Sequence, residues 1–98
     1  MQPAIQYWSA PGNGLAGPVI SLPRRPGRLY LLATLDPPGA QLYLWPQSQT
    51  DPLGIAPAAG QGAVYIPATA YPGLIDGEWY VWAPLLTTVT VIEAYRLP

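Results

Sequence analysis

The chain has 98 residues, half of them hydrophobic, only 9% charged, with a net charge of −1 and neither cysteine nor histidine. This length is that of one domain, and the inventory excludes disulfides, thiolate metal sites, cysteine nucleophiles and serine–histidine triads. Near-neutrality excludes a strong electrostatic pull toward nucleic acid or anionic lipid, so neither nucleic acid nor membrane is expected as a partner.

A charged fraction so far below the usual ~25% leaves little to keep a monomer's surface dispersed, and points to large areas held against partner chains. Fourteen prolines and ten glycines are spread between apolar runs, the pattern of many short strands joined by tight turns. Asn13 is the only asparagine and lysine is absent. With the loop prolines, this composition is also that of a thermostable protein.

In chain order, Met1-Gln2-Pro3-Ala4 carries neither the basic nor the apolar region of a signal peptide, and no apolar run reaches the length of a membrane-crossing helix. Ile5 to Trp8 reads as a short first strand, with residues 1–22 as an N-terminal arm or edge strand. Val19 to Leu22, between Pro18 and Pro23, is the second. Leu29 to Leu35 and Gln41 to Trp45 flank Asp36-Pro37-Pro38-Gly39-Ala40, where Pro38 and Gly39 suit the central positions of a type II turn, so this stretch is expected to be a β-hairpin. In it Leu29, Leu31, Ala33 and Leu35 share one face with Leu42 and Leu44. Arg28, Tyr30, Leu32 and Thr34 share the other with Tyr43 and Trp45.

Pro46 to Pro52 reads as a polar loop, Leu53 to Pro57 as weakly extended and Ala58 to Gly62 as a turn. Ala63 to Ile66 and Glu78 to Ala83 are strands separated by a loop. Leu85-Leu86 turns into Thr87 to Tyr95, the strongest β-forming run. Val89 and Val91 are expected in the core, with Thr88, Thr90 and Ile92 on the opposite face, under a partner chain or an overlying Ile5 to Trp8. No segment carries a helical apolar period with a cap. About seven short strands without substantial helix predict a single antiparallel β-sandwich over residues 1–98, jelly-roll or immunoglobulin-like.

Few residues could carry chemistry. Asp76 and Glu78 are the closest carboxylates, but Asp76-Gly77 is also a turn dipeptide. No catalytic, cofactor-binding or metal-binding residue is expected. Arg24, Arg25 and Arg28 form the only cationic cluster, open to three uses: a charge-assisted pair with a carboxylate across a subunit boundary, a solvated strand end, or weak contact with nucleic acid. Tyr43, Trp45, Tyr80 and Trp82 are open to core or interface packing and to stacking on sugar rings.

The order of these segments resembles a family of small β-sandwich virion proteins of tailed bacteriophages, associated with the capsid or its fibres. The residues that carry the likeness are Arg24-Arg25 before Leu29 to Leu35, then Gln41-Leu42-Tyr43-Leu44, the run Gly54-Ile55-Ala56-Pro57-Ala58-Ala59-Gly60, Trp79 to Ala83, and Val89-Thr90-Val91-Ile92-Glu93, together spanning residues 24–95. Ala33-Thr34-Leu35 departs from the Gln-Asn often found there, and Trp45-Pro46 from a usual glycine. The resemblance implies a structural, non-enzymatic protein of the virion, decorating or cementing the capsid or forming a head-fibre base. Its partners would be the major capsid protein or other virion subunits, and it would form a homo-oligomer, a trimer. A carbohydrate-binding or adhesion module on a tail or fibre is the alternative. Expected interface residues are Arg24, Arg25, Arg28, Tyr43, Trp45, Tyr80, Trp82 and Ile92.

Overall fold

Eight strands form among the residues that the computed structural model describes, which are 3–13, 17–46, 58–71 and 73–97, the side chains of 58–61 excepted. They are β1 (Pro3–Pro11), β2 (Ile20–Leu22), β3 (Arg28–Asp36), β4 (Gln41–Pro46), β5 (Ala58–Gln61), β6 (Ala63–Pro67), β7 (Trp79–Trp82) and β8 (Thr88–Arg96). Two four-stranded antiparallel sheets, β1-β8-β3-β6 and β2-β7-β4-β5, face each other. First pairs with last, second with seventh, third with sixth and fourth with fifth. That is one long antiparallel ribbon rolled on itself, sealed by the β3–β8 and β4–β7 contacts. Of the two sandwich types expected, this is the jelly roll.

The expected hairpin does not form. β3 bonds to β6 and β8 in one sheet and β4 to β5 and β7 in the other, so Asp36 to Ala40 carries the chain between sheets. Leu42 and Leu44 still meet Leu31, Ala33 and Leu35, but across the sandwich. The alternation of side chains is a property of each strand alone and holds whichever sheet it joins. Ala58 to Gln61, expected as a turn, is β5, and Gly62 alone makes the tight link to β6 at φ +80°. A left-handed residue there favours glycine. The Gly54–Gly60 motif and Leu53 to Pro57 lie largely outside the described residues.

Val89 and Val91 are fully buried, as their alternation predicts. With Leu31, Leu35, Ile66, Leu22, Leu44 and Val81 they fill the space between the sheets, each fully buried aliphatic contributing about 1.5–3 kcal/mol. Trp79 closes one end of this core. Its indole Nε1 donates to the Leu74 carbonyl at 3.0 Å, and its ring meets Tyr71 edge-on at 5.4 Å. β1 lies beside β8 in the same sheet, Pro3 opposite Arg96 through Pro11 opposite Thr88. It therefore does not overlie Ile92, because its backbone takes the free edge of β8.

Candidate functional site

Three regions stand apart from the ordinary core: a charge cluster inside one end, and the outer faces of the two sheets. The cluster begins with a β-bulge. Arg28 pairs with Tyr95 and Tyr30 with Ala94, so Leu29 is an extra residue that shifts the alternation of β3 by one. Arg28, expected on the outer face with Tyr30, is thereby re-aimed inward.

Glu93 awaits it there, two residues beyond Val91 on the inward face of β8 and fully buried. Glu93 Oε2 accepts from Arg28 Nη2 at 2.8 Å and from Arg28 Nε at 3.0 Å. The remaining Arg28 protons go to the carbonyls of Ile75 (2.6 Å), Gly77 (2.7 Å) and Pro23 (2.8 Å). All five donors of the guanidinium are thus used inside the chain. Arg25 adds a two-pronged contact, Nε to Glu93 Oε2 and Nη2 to Glu93 Oε1, each at 3.1 Å, and lies 4.2 Å over the Tyr95 ring. Trp8 Nε1 completes the carboxylate at 3.2 Å.

Burial alone would push the Glu93 carboxyl up, but the hydrogen bonds from Arg25 and Arg28, the Arg28 charge and the Trp8 bond outweigh it and hold the carboxyl below the usual carboxylate range. Glu93 raises Arg25 by hydrogen bonding against a partial burial cost, whereas burial lowers Arg28 despite the same partner. Asp76 joins from outside: its Oδ1 accepts the Arg28 backbone N–H at 3.2 Å, and its carbonyl accepts the Arg25 N–H at 2.9 Å. The cluster therefore ties the β2–β3 connection, β1, β8 and the β6–β7 loop together.

This arrangement corrects one expectation. Arg28 is buried and fully bonded within its own chain, so it has no surface to offer across a subunit boundary. Arg25 spends its fork on the same carboxylate. Arg24 alone of the three is exposed, on the rim of a polar cleft with Gly73, Asp76, Gly77 and Glu78. Among the described residues no three potential metal ligands converge.

On the second sheet, Tyr43 pairs with Trp82 and Trp45 with Tyr80 across β4 and β7, ring centres 5.5 and 5.7 Å apart and tilted by 48° and 44°. Trp45 is buried within the chain, which takes it from the expected interface set, because in its own fold little of the ring remains to be covered. Tyr43, Tyr80 and Trp82 are half-buried.

The outer face of the first sheet is different. The registers place Tyr7, Ile92, Leu32 and Tyr65 in one row across all four strands. Ile5, Ala94, Tyr30 and Pro67 form the row beside it, and Ser9, Thr90, Thr34 and Ala63 the next. None of these twelve residues carries a formal charge. Tyr7 is 64% exposed, Tyr65 59% and Ile5 52%. Ile92 lies half-buried in the middle of this face. Sequence reasoning placed Ile92 here but missed Ile5, Tyr7 and Tyr65. Their every-second-residue placement was the available signal, and they escaped because the pairing of β1 and β6 with this sheet is not written locally.

No protein-family model matches the chain, and no curated protein matches it by sequence. Solved structures similar in backbone course include two capsid chains. A chain of the acidic stable capsid structure of Helicobacter pylori bacteriophage KHP30 matches with a TM-score of 0.48 at 10% identity, covering 98% of this chain and 88% of that one. A chain of the cyanophage Pam1 capsid asymmetric unit matches with a TM-score of 0.46 at 15% identity, covering 98% of this chain and 85% of that one.

Proposed function

We propose that the chain is a non-enzymatic structural subunit of a bacteriophage virion, decorating or cementing the capsid or forming the base of a head fibre. The observation that carries this reading is the three uncharged central rows on the outer face of the β1-β8-β3-β6 sheet, between Asp36 at one end and Arg96 at the other, with Tyr7 and Tyr65 largely in water. A fully exposed tyrosine presents about 150–250 Å², so these two offer on the order of 200–300 Å² before Ile5, Tyr30, Leu32 and Ile92 are added. One partner in a standard-size interface contributes about 800 Å². A continuous apolar area of this kind is what a subunit needs and what a free monomer avoids.

The resemblance of the segment order to that of small virion sandwich proteins supports the same reading and gives it its context. Association acts by burial, without chemistry: copies of this chain and neighbouring virion subunits cover the outer face, and each bound partner stabilises the folded state by mass action. The test is copurification with intact phage particles. Stoichiometric recovery with particles, resistant to a salt wash because the contact is apolar, supports the role; absence from washed particles refutes it.

A further inference from the structure

The connection from β7 to β8 turns at Leu85 and Leu86, which are 64% and 94% exposed. Leu86 stands at φ +66°, in the left-handed region where a Cβ crowds the backbone and glycine or asparagine is the ordinary choice. Glycine would suit that backbone better and a polar side chain would suit water better, so neither the fold nor solvation accounts for leucine.

The turn is also held firmly. Thr87 Oγ1 donates to the Pro84 carbonyl at 2.7 Å, Gly12 N–H to the Thr87 carbonyl at 2.8 Å, and Asn13 N–H to the Ala83 carbonyl at 3.0 Å. Gly12 approaches so closely that a Cβ there would lie 1.8 Å from the Pro84 carbonyl oxygen. The segment after β1 thus buttresses a fixed platform that presents two leucines outward.

We infer that the Leu85–Leu86 turn is an apolar anchor that seats in a hydrophobic pocket of a different virion subunit. The inference rests on the virion reading above and adds the element that docks and the chemistry of its seat. Strain kept at an exposed position is the mark of a functional contact, and a pre-ordered turn loses little freedom on docking. A lipid surface fits less well. Arg24, Arg25 and Arg28 gather at the opposite end, Arg96 ends β8 there too, and the formal charge in register beside this turn is Asp36, opposite Thr88. A second copy fits less well because, among the described residues, the outer sheet face is an extended surface and the cleft beside Arg24 is polar.

The experiment compares the full-length wild type with Leu86→Gly, Leu86→Met and Leu85→Gln, reading recovery with purified phage particles and the thermal melt of each free protein. The expected result is that Leu86→Gly melts no lower than wild type yet loses at least tenfold in particle occupancy. Leu85→Gln loses a similar factor, and Leu86→Met, apolar and of similar size, retains most of it. Wild-type occupancy in Leu86→Gly and Leu85→Gln overturns the anchor while leaving the virion reading intact. Failure of the wild type itself to copurify overturns both. An equal loss of self-association in light scattering of Leu86→Gly without particles moves the seat to a second copy and overturns the assignment to a different subunit. Should Leu86→Gly fold poorly, Leu85→Gln, at an ordinary backbone conformation, decides between the same outcomes.

Discussion

At the end of the sandwich where β3 begins and β8 finishes, charged groups turn inward; at the end where β7 turns into β8, apolar groups turn outward. In the first, Glu93 meets Arg25 and Arg28 and no buried side-chain polar atom among the described residues lacks a partner. In the second, Leu85 and Leu86 stand in water on a left-handed turn. The contrast explains how so few charges are deployed. Three of the chain's nine charged residues are committed to one internal cluster, which ties the β2–β3 connection and the β6–β7 loop to β8. The outer surface is left poorer still in charge, and suited to being covered.

The sharpest way to break the comparison is to disarm the cluster. Glu93→Gln keeps the shape but leaves two guanidinium groups facing a neutral amide, one of them fully buried. Removing one partner of a buried pair costs about 3–5 kcal/mol, so urea or thermal denaturation of the purified protein should show a loss of that order. Acid should do the same more gently. In the folded chain the Glu93 carboxyl is held below the usual range by its two arginines, while unfolded it titrates near ~4.3. Between those values the unfolded chain binds the extra proton, so stability rises with pH in that window. The contribution is complete above about pH 5 and is lost as pH falls below about 4 through the folded value. Melts at stepped pH should show this fall in the wild type and not in Glu93→Gln.

Two neighbours on β8 sharpen the comparison between inward and outward faces. Val91→Ala empties core volume and should cost about 1–3 kcal/mol, whereas Ile92→Ser, half-buried on the outer face, should cost the free domain about 1 kcal/mol, less than Val91→Ala. Equal losses in the two variants would mean that the outer face is not a free surface. The smallest effect is expected at the turn. A left-handed backbone costs a Cβ-bearing residue about 1–2 kcal/mol, and glycine returns roughly 0.5–1 kcal/mol of that through unfolded-state entropy. Leu86→Gly should therefore leave the melt unchanged or raise it by up to about 1 kcal/mol.

The sandwich and most of its strands were legible because two-residue alternation is a local signal: Val89 and Val91, Leu31 and Ala33, Leu42 and Leu44 all face inward as their spacing implies. Strand partnership was not. Asp36 to Ala40 has hairpin chemistry yet joins two sheets, since a turn sequence fixes a reversal of direction and not the distance to the next strand. The arginine cluster was half legible. A carboxylate partner was one of the three uses left open, but the bulge at Leu29 that turns Arg28 inward leaves no mark in composition. Glu93 could have been found, because it continues the inward set of Val89 and Val91, and a buried carboxylate requires a cation. The partner sought across a subunit boundary lies in the same chain. Tyr7, Tyr65 and Ile5 could be recognised as one surface only once β1 and β6 were known to flank β8 and β3.

The central claim, that the uncharged middle of the outer face of the β1-β8-β3-β6 sheet is an assembly surface and not part of the fold's own support, is tested most directly by multi-angle light scattering across a micromolar concentration series. Wild type is compared with the double variant Tyr7→Ser/Tyr65→Ser. The prediction is a wild type that associates reversibly as concentration rises, and a double variant that stays monomeric with a melting temperature close to the wild type's. A wild type that remains a soluble monomer at high micromolar concentration, or a double variant that unfolds, would contradict it.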